Sequence, residues 1–474
     1  MHPHDIAALP RLAFGAPGEF RERIVGEILA GRKTGSTNLA VAYAMNGERV
    51  PRVGEHRALL DSTNRAVAVV RYTDVVRTSS ADITEFLALQ EASSIEAWRT
   101  IHREYWATLV ADIRTFLGDA EWQLRAEEPA ISTVFEVVET PQRVPSVAFI
   151  GAGFHATANL LPACVLAGIR IDAIATTDVD RSAAALARFG SDGVAYGDAD
   201  ELLQNPAVRN VVIVAQPDDQ ARLARQAIAA GKNVFVEKPL GRDGAEAAEI
   251  ALAAGENGVR LAVGFMKRHA PAYRALKSAL DDGSLGAIHS FQLTFGCDST
   301  GFCANEREFL TLAAIHVVDL VRHLFGEVAD VRTLDNSAGN LVSMAVGLRF
   351  ASGVIGTLDL TGLPSFSSET EILRVVGREG IATVRDVAEL AVHTVDAGGI
   401  ASWRDLTETT ITRVPAESAM SGVERDLYLR GFVGELRAFA DPAADAPAHA
   451  EATCDGHDNA HTMELCDRIL AASY

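Results

Sequence analysis

Apolar positions change their period as the chain proceeds. Over residues 20–29, Phe20, Ile24, Ile28 and Leu29 recur at helical spacing. Residues 65–72 (RAVAVVRY) and 133–138 have strand character, and 83–89 and 94–117 predict helices. Past residue 145 the pattern becomes an alternation. Strands are predicted at 147–150, 171–176, 211–215, 233–236 and 261–264, with helices at 182–189, 219–230, 244–254 and 273–280. Such βα alternation predicts a doubly wound parallel sheet of the Rossmann type. After about residue 285, strands predicted at 288–295, 342–350, 354–360 and 371–376 follow one another, with a helix at 312–324. That change predicts an α+β domain with a mostly antiparallel sheet. Helices at 424–440 and 457–472 close the chain around an Ala-Pro-rich loop at 441–452. The prolines of ETPQRVP (139–145) mark a junction. The expected domains are therefore 1–140, 141–270 and 271–474, with the terminal helices able to pack back on the middle domain.

Composition narrows the function. The chain has 474 residues and a formal net charge of −20, which argues against bulk nucleic-acid binding by its surface. Apolar runs are strand-length, far short of the ~20 residues that span a membrane. MHPHDIAALP lacks the basic start and apolar core of a signal peptide. The five cysteines are scattered and form no CxxC pair, as expected of reduced thiols. A cytoplasmic protein is expected, with a small-molecule substrate and no membrane partner. Lysine is scarce: of 43 basic residues, only Lys33, Lys232, Lys238, Lys267 and Lys277 are lysines. Arginine stays charged, whereas a buried lysine can release its proton, so each lysine is a candidate for chemistry.

The first strand of the alternation runs into VAFIGAGFHA, with Gly151, Gly153 and Ala156 in G-x-G-x-x-G/A spacing. The first glycine allows a tight turn and the second lets a pyrophosphate approach the backbone. The small third residue permits helix–strand packing, and the helix N-terminus faces the anion. Phe154 and His155 lie inside this loop. Where an acid would hold the ribose of NAD, the chain has Thr177, with Asp178 one place later and Arg181 nearby. This leaves NAD or NADP open, with NAD slightly favoured. Gln216 and Pro217 follow the third strand of the alternation and face the same edge.

GAGFHA, VIVAQPDDQARLARQAIAAGKNVFVEKPL and VGFMKRHAP resemble the glucose-fructose oxidoreductase, inositol dehydrogenase and rhizopine catabolism (Gfo/Idh/MocA) family over about residues 145–474. The resemblance implies hydride transfer between a nicotinamide cofactor and a sugar, cyclitol or similar carbinol. It places Glu237 and Lys238 of the EKP triplet beside cofactor and substrate, and makes His316 the acid/base. A histidine near neutrality suits removal of a carbinol proton, and an ammonium polarises the developing carbonyl. Asp319 and His323 share the helical face of His316, with Asp319 placed to orient the imidazole. Lys267, Arg268 and His269 are expected to contact substrate. The chain departs from the family where Leu312 replaces an aspartate and Gln220 a histidine. A homo-oligomer is also implied. His457 and His461 have metal-compatible spacing, but no third ligand is evident and no metal is expected.

Residues about 10–138 resemble the ASC-1 homology (ASCH) domain, a small β-barrel related to PUA modules, through AFG (13–15), GRKTGST (31–37), VPRVGE (50–55) and LQEASSIEAWRTIHREYW (89–106). One branch of that family deacylates N4-acetylcytidine. Carried over, its site implies Lys33, Ser36 and Glu91, as a hydrolase or as a ligand site. Trp98, Arg99 and His102 lie on one helix and are candidates to line the same cleft. Two other readings stay open: a redox-inactive cofactor sensor that binds nucleotide or RNA, and an amidohydrolase with a structural Rossmann half.

Overall fold

The computed structural model describes residues 9–62, 64, 66–139, 144–395, 408–416, 425–441 and 452–473. The chain forms two compact units, Met1–Arg143 and Val144–Tyr474.

In the first unit, strands Arg11–Leu12, His56–Leu60, Ala66–Thr78, Ala130–Glu139 and Gly35–Leu39 form one sheet in that order. All neighbours pair antiparallel except the first two. The expected small barrel takes the form of this five-stranded sheet; its outer strands do not pair with each other among the described residues. Helix Ile95–Leu117 packs against it. Ser94 caps the helix by accepting from the Ala97 N–H at 3.1 Å, and Gly118 ends it at φ +67°. Its buried stripe is Trp98, His102, Trp106 and Ile113. The i, i+4 and i+8 positions thus carry the aromatic rings into the core.

The second unit contains the predicted parallel sheet. Its order is Cys454–Asp455, Leu261–Gly264, Asn233–Glu237, Asn210–Ile213, Ser146–Ile150, Arg170–Ala175 and Val194–Tyr196. Only the Cys454–Asp455 strand runs antiparallel. Strand order reverses direction at Ser146–Ile150, and ligands bind at the strand C-termini beside such a switch point.

The other sheet has eight strands: Val328–Asp335, Val342–Phe350, Ile355–Gly362, Ile288–Gly296, Thr370–Gly377, Gly380–Arg385, Glu389–Val395 and Glu408–Arg413. Its single parallel pair joins Ile288–Gly296 to Ile355–Gly362. Along Val342–Phe350 and Ile355–Gly362 buried and exposed residues alternate, so one face is core.

Two expected helices differ. The helix expected at 424–440 is two pieces, Arg425–Leu429 and Phe432–Ala440, parted at Gly431. Gly431 has φ +98°, and a Cβ there would stand 1.9 Å from the Met266 carbonyl oxygen. This close approach demands glycine and breaks the helix. The segment expected at 312–324 begins earlier, as a π-helical turn at Phe309–Ala314 followed by an α-helix at Ile315–Phe325. The expected loop at 441–452 falls, apart from its ends, outside the described residues.

Candidate active site and dinucleotide cleft

The glycine loop is built for close backbone approach. Gly151 sits at φ +100°, and a Cβ there would be 2.0 Å from the Val214 carbonyl oxygen. At Gly153 a Cβ would meet nothing within 4 Å, so its space is open on the ligand side. Phe154 is 86% exposed beside it, and Ala156 is buried under the helix start. A cleft of about 410 Å³ runs from Gly151 and Gly153 past Thr176, Thr177 and Arg181 to Gln216. These residues fit a dinucleotide: small residues at the turn, a helix start facing the loop, and a groove along the strand ends. Asp178 does not turn into that groove; its carboxylate caps its own helix by accepting from Asp180 N–H at 2.9 Å. Pro217 opens the helix Pro217–Ala229 that Gln216 caps.

His155 turns inward. Its Nε2 lies 3.1 Å from Glu237 Oε1, and its Nδ1 faces Asn159 Nδ2 at 3.0 Å. Behind Glu237 lies Glu435, buried, with neither carboxylate oxygen hydrogen-bonded among the described residues. Burial, followed by the charge of Glu237, pushes Glu435 well above the usual carboxylate range.

The turn after Glu237 is clamped from two sides. Gln220 donates to the Pro239 carbonyl at 3.1 Å and Asn459 to the Leu240 carbonyl at 3.0 Å. Lys238 projects from this clamp and donates to the Leu312 carbonyl at 2.6 Å. That carbonyl belongs to the π-helical turn, where widened spacing changes the backbone pairing. A backbone oxygen thus takes the lysine at the position whose side chain is leucine in place of aspartate. Burial lowers the Lys238 ammonium, against the pull of Glu237 and Glu369. His316 stands on the helix directly after this turn, edge-on to Phe265 with ring centroids 5.9 Å apart. Burial, then Lys238, Lys267, His155 and Arg430, hold its imidazole well below 6.5. It is neutral over the ordinary working range.

Asp319 does not orient His316. It accepts from both Nε and Nη2 of Arg268 and from Thr462 Oγ1 at 3.1 Å, while His316 Nδ1 has no hydrogen-bond partner among the described residues. Nor is Arg268 set to meet substrate. It is 3% exposed and also grips Asp458, to which Arg322 adds a second bond at 2.9 Å. This cluster ties the turn Met266–His269 to helices Ile315–Phe325 and Gly456–Ala471. His269 is buried beneath Gly434, whose added Cβ would stand 3.0 Å from the His269 Cβ. His323 faces the Arg268 cluster and not the carbinol site. Burial, followed by Arg268 and Lys277, pushes it down to about 4.

Lys267 differs from its two neighbours. It is buried against Glu371 and Glu369, under the face of Phe295, and Tyr273 donates to the same Glu371. Arg430 reaches Glu369 more loosely, at 3.6 Å. Glu369, Glu371 and Arg430 had no local signal. They come from a strand start and a broken helix, and only folding sets them around Lys267.

The first unit gathers a second polar cluster. Glu91 accepts from Lys33 at 3.1 Å, Thr37 at 2.6 Å and Trp98 Nε1 at 3.2 Å, with His102 Nε2 at 3.6 Å. Burial alone would raise Glu91, but His102, Lys33 and Thr37 outweigh it and pull it down to about 2. Thr37, not Ser36, joins Lys33 and Glu91. Adjacent residues of a strand face opposite sides, and the Gly35–Leu39 strand puts Thr37 on the buried one. Arg99 instead donates to the Ser80 carbonyl at 3.2 Å.

The matches to known proteins agree with this architecture. An ASCH domain model matches residues 10–139. A model of the oxidoreductase family with an NAD-binding Rossmann fold matches 146–265, and the GFO/IDH/MocA C-terminal domain matches 273–383. An inositol 2-dehydrogenase of Burkholderia lata is 30% identical over 311 residues, covering 64% of this chain and 87% of that protein. The chain belongs to the Gfo/Idh/MocA oxidoreductase family. A second inositol 2-dehydrogenase, from Ralstonia nicotianae, is 26% identical over 64% of this chain and 87% of its own. Levoglucosan dehydrogenase in complex with NADH and levoglucosan shares the fold at 21% identity, covering 69% of this chain and 96% of its own, with a TM-score of 0.58. This family member is thus an NAD(P)-dependent oxidoreductase joined to an ASCH domain. No helix among its described residues is long and apolar enough to cross a membrane.

Proposed function

We propose that this oxidoreductase transfers a hydride between NAD and a carbinol carbon of a sugar- or cyclitol-sized substrate. The observation that supports the reading is the dinucleotide cleft from Gly151 to Gln216, together with Lys238 and His316, which lie close enough for the lysine's charge to act on the imidazole. Gly151, Gly153 and Ala156 would hold the pyrophosphate, and Thr177 and Gln216 would line the cleft. The bound nicotinamide supplies the hydride acceptor or donor.

The chain's own groups do the rest. The neutral His316 takes the hydroxyl proton as a carbonyl forms, or returns it in the reverse direction. Lys238 steadies the charge that builds on the carbinol oxygen. Gln220 and Asn459 hold the turn that aims Lys238, and the cluster around Arg268 and Asp319 holds the helix that carries His316. Titration of the purified chain with NADH, followed by nicotinamide fluorescence, tests the cleft. Saturable binding that Gly153→Trp abolishes supports it, and no binding would end the redox reading.

For the ASCH domain we propose ligand binding without hydrolysis. A carboxylate held at about 2 and already hydrogen-bonded by Lys33 and Thr37 is a poor proton shuttle near neutrality. Release of acetate from N4-acetylcytidine, lost in Lys33→Ala, would overturn that assignment.

A further inference from the structure

The dinucleotide cleft lacks an acid where NAD is usually told from NADP. The strand Arg170–Ala175 runs out into Thr176, Thr177 and Asp178. An acid at such a strand end bonds the ribose 2′-hydroxyl of NAD and repels the 2′-phosphate of NADP, whereas a nearby arginine accommodates that phosphate. Here the candidates are spent on the turn itself. Thr176 Oγ1 donates to the Asp178 carbonyl at 2.6 Å and accepts from the Asp178 N–H at 3.2 Å. The Asp178 carboxylate caps the helix Val179–Arg188, and neither Asp178 nor Asp180 lines the cleft. Thr177 and Arg181 do line it, and both are exposed to it. Neither side chain makes a hydrogen bond or ion pair among the described residues. The acids that line the cleft come from later turns and are engaged. Asp198 accepts from the Asp200 N–H at 2.5 Å, Asp200 from Gln226 at 3.3 Å and Asp219 from Arg222 at 2.7 Å. Arg222 is tied further to Gln226, at 3.0 Å. Arg181 alone among the charged lining residues described keeps all five N–H donors for a ligand, in a fork that matches a phosphate. The three aspartates still oppose an added phosphate, which keeps its advantage small.

We propose that the cleft takes NADP(H) as well as NAD(H), with Thr177 and Arg181 reading the adenosine 2′ position. The Thr177 hydroxyl serves a ribose 2′-hydroxyl or a 2′-phosphate alike, and Arg181 binds the phosphate. This rests on the dehydrogenase reading and specifies its cofactor range. Arg181 is the specificity residue.

The test titrates the full chain with NADH and with NADPH, following nicotinamide fluorescence, so that no carbinol substrate need be known. The expected Kd for NADPH is no more than about 30-fold above that for NADH. Arg181→Met should raise the Kd for NADPH about 10- to 100-fold, the size of a charged hydrogen bond, and that for NADH less than about 3-fold. Thr177→Asp, which places an acid at the strand end, should widen the gap in the same direction. NADPH binding more than about 30-fold weaker than NADH in the unmodified chain would overturn the dual-cofactor assignment and leave the dehydrogenase standing. So would an Arg181→Met change that is equal for the two cofactors or absent from both. Binding of neither cofactor would overturn both readings.

Discussion

Lys33 and Lys238 are both scarce lysines set close to acidic residues, yet the two surroundings treat them in opposite ways. Lys33 has a carboxylate at 3.1 Å, and that carboxylate is held at about 2 by His102, Lys33 and Thr37 against the cost of burial. Among the described residues Lys238 hydrogen-bonds only a carbonyl, at 2.6 Å, and burial lowers its pKa against the more distant pull of Glu237 and Glu369. A full counter-charge stabilises a buried ammonium, whereas a dipole leaves it short of compensation. The first arrangement stabilises a folded unit. The second keeps donors available for a ligand.

The largest expected effect lies at the lysine without a counter-charge. Lys238→Met should lower kcat/KM by about 10²- to 10³-fold while NADH binding persists, because the charge it steadies arises only in the transition state. Steady-state kinetics beside a fluorescence titration separates the two. Asp319→Ala should cost about 3–5 kcal/mol of stability in the second unit, since it strands the buried Arg268. Chemical denaturation measures that loss; a change confined to the pH–rate profile would instead restore a role beside His316.

At the paired lysine, Glu91 makes the prediction pH-dependent. Its folded pKa lies below that of the unfolded chain, so its stabilisation is complete above about 4.5 and is lost as pH falls toward about 2. The shift corresponds to about 3 kcal/mol. Glu91→Gln should remove most of that acid dependence from the first unit and leave dehydrogenase turnover unchanged. His323 acts at higher pH in the second unit. With a folded value of about 4, it binds fewer protons than in the unfolded chain, so stability falls as pH drops from about 6.5 toward 4. The smallest effect separates neighbours on one strand: Thr37→Val should cost about 1–2 kcal/mol and Ser36→Ala less than about 0.5. Equal costs would break the assignment of Thr37 to the Glu91 side.

Much of this was legible in local pattern. Gly151 and Gly153 announce a backbone approach because no other residue tolerates φ +100° against Val214, or leaves the space open at Gly153. Lys238 stood out by the rarity of lysine and by its EKP setting. Asp319 misled for a physical reason: i, i+3 spacing puts two side chains on one face, but a guanidinium from another element outbids a neutral imidazole for a carboxylate. Thr37 was missed because K-x-x-S spacing ignores the two-residue period of a strand.

The sequence alone determined the order of the elements, the parallel and antiparallel halves, the dinucleotide turn and the family, since period, glycine position and short motifs are local properties. The tertiary structure alone decided which charges meet. It turned Arg268 and Asp319 into a brace, engaged Glu371 with Lys267, and brought Glu369 and Arg430 together beside that lysine. Ion pairing depends on distances of a few ångströms between residues up to about 190 positions apart, and no local pattern encodes those.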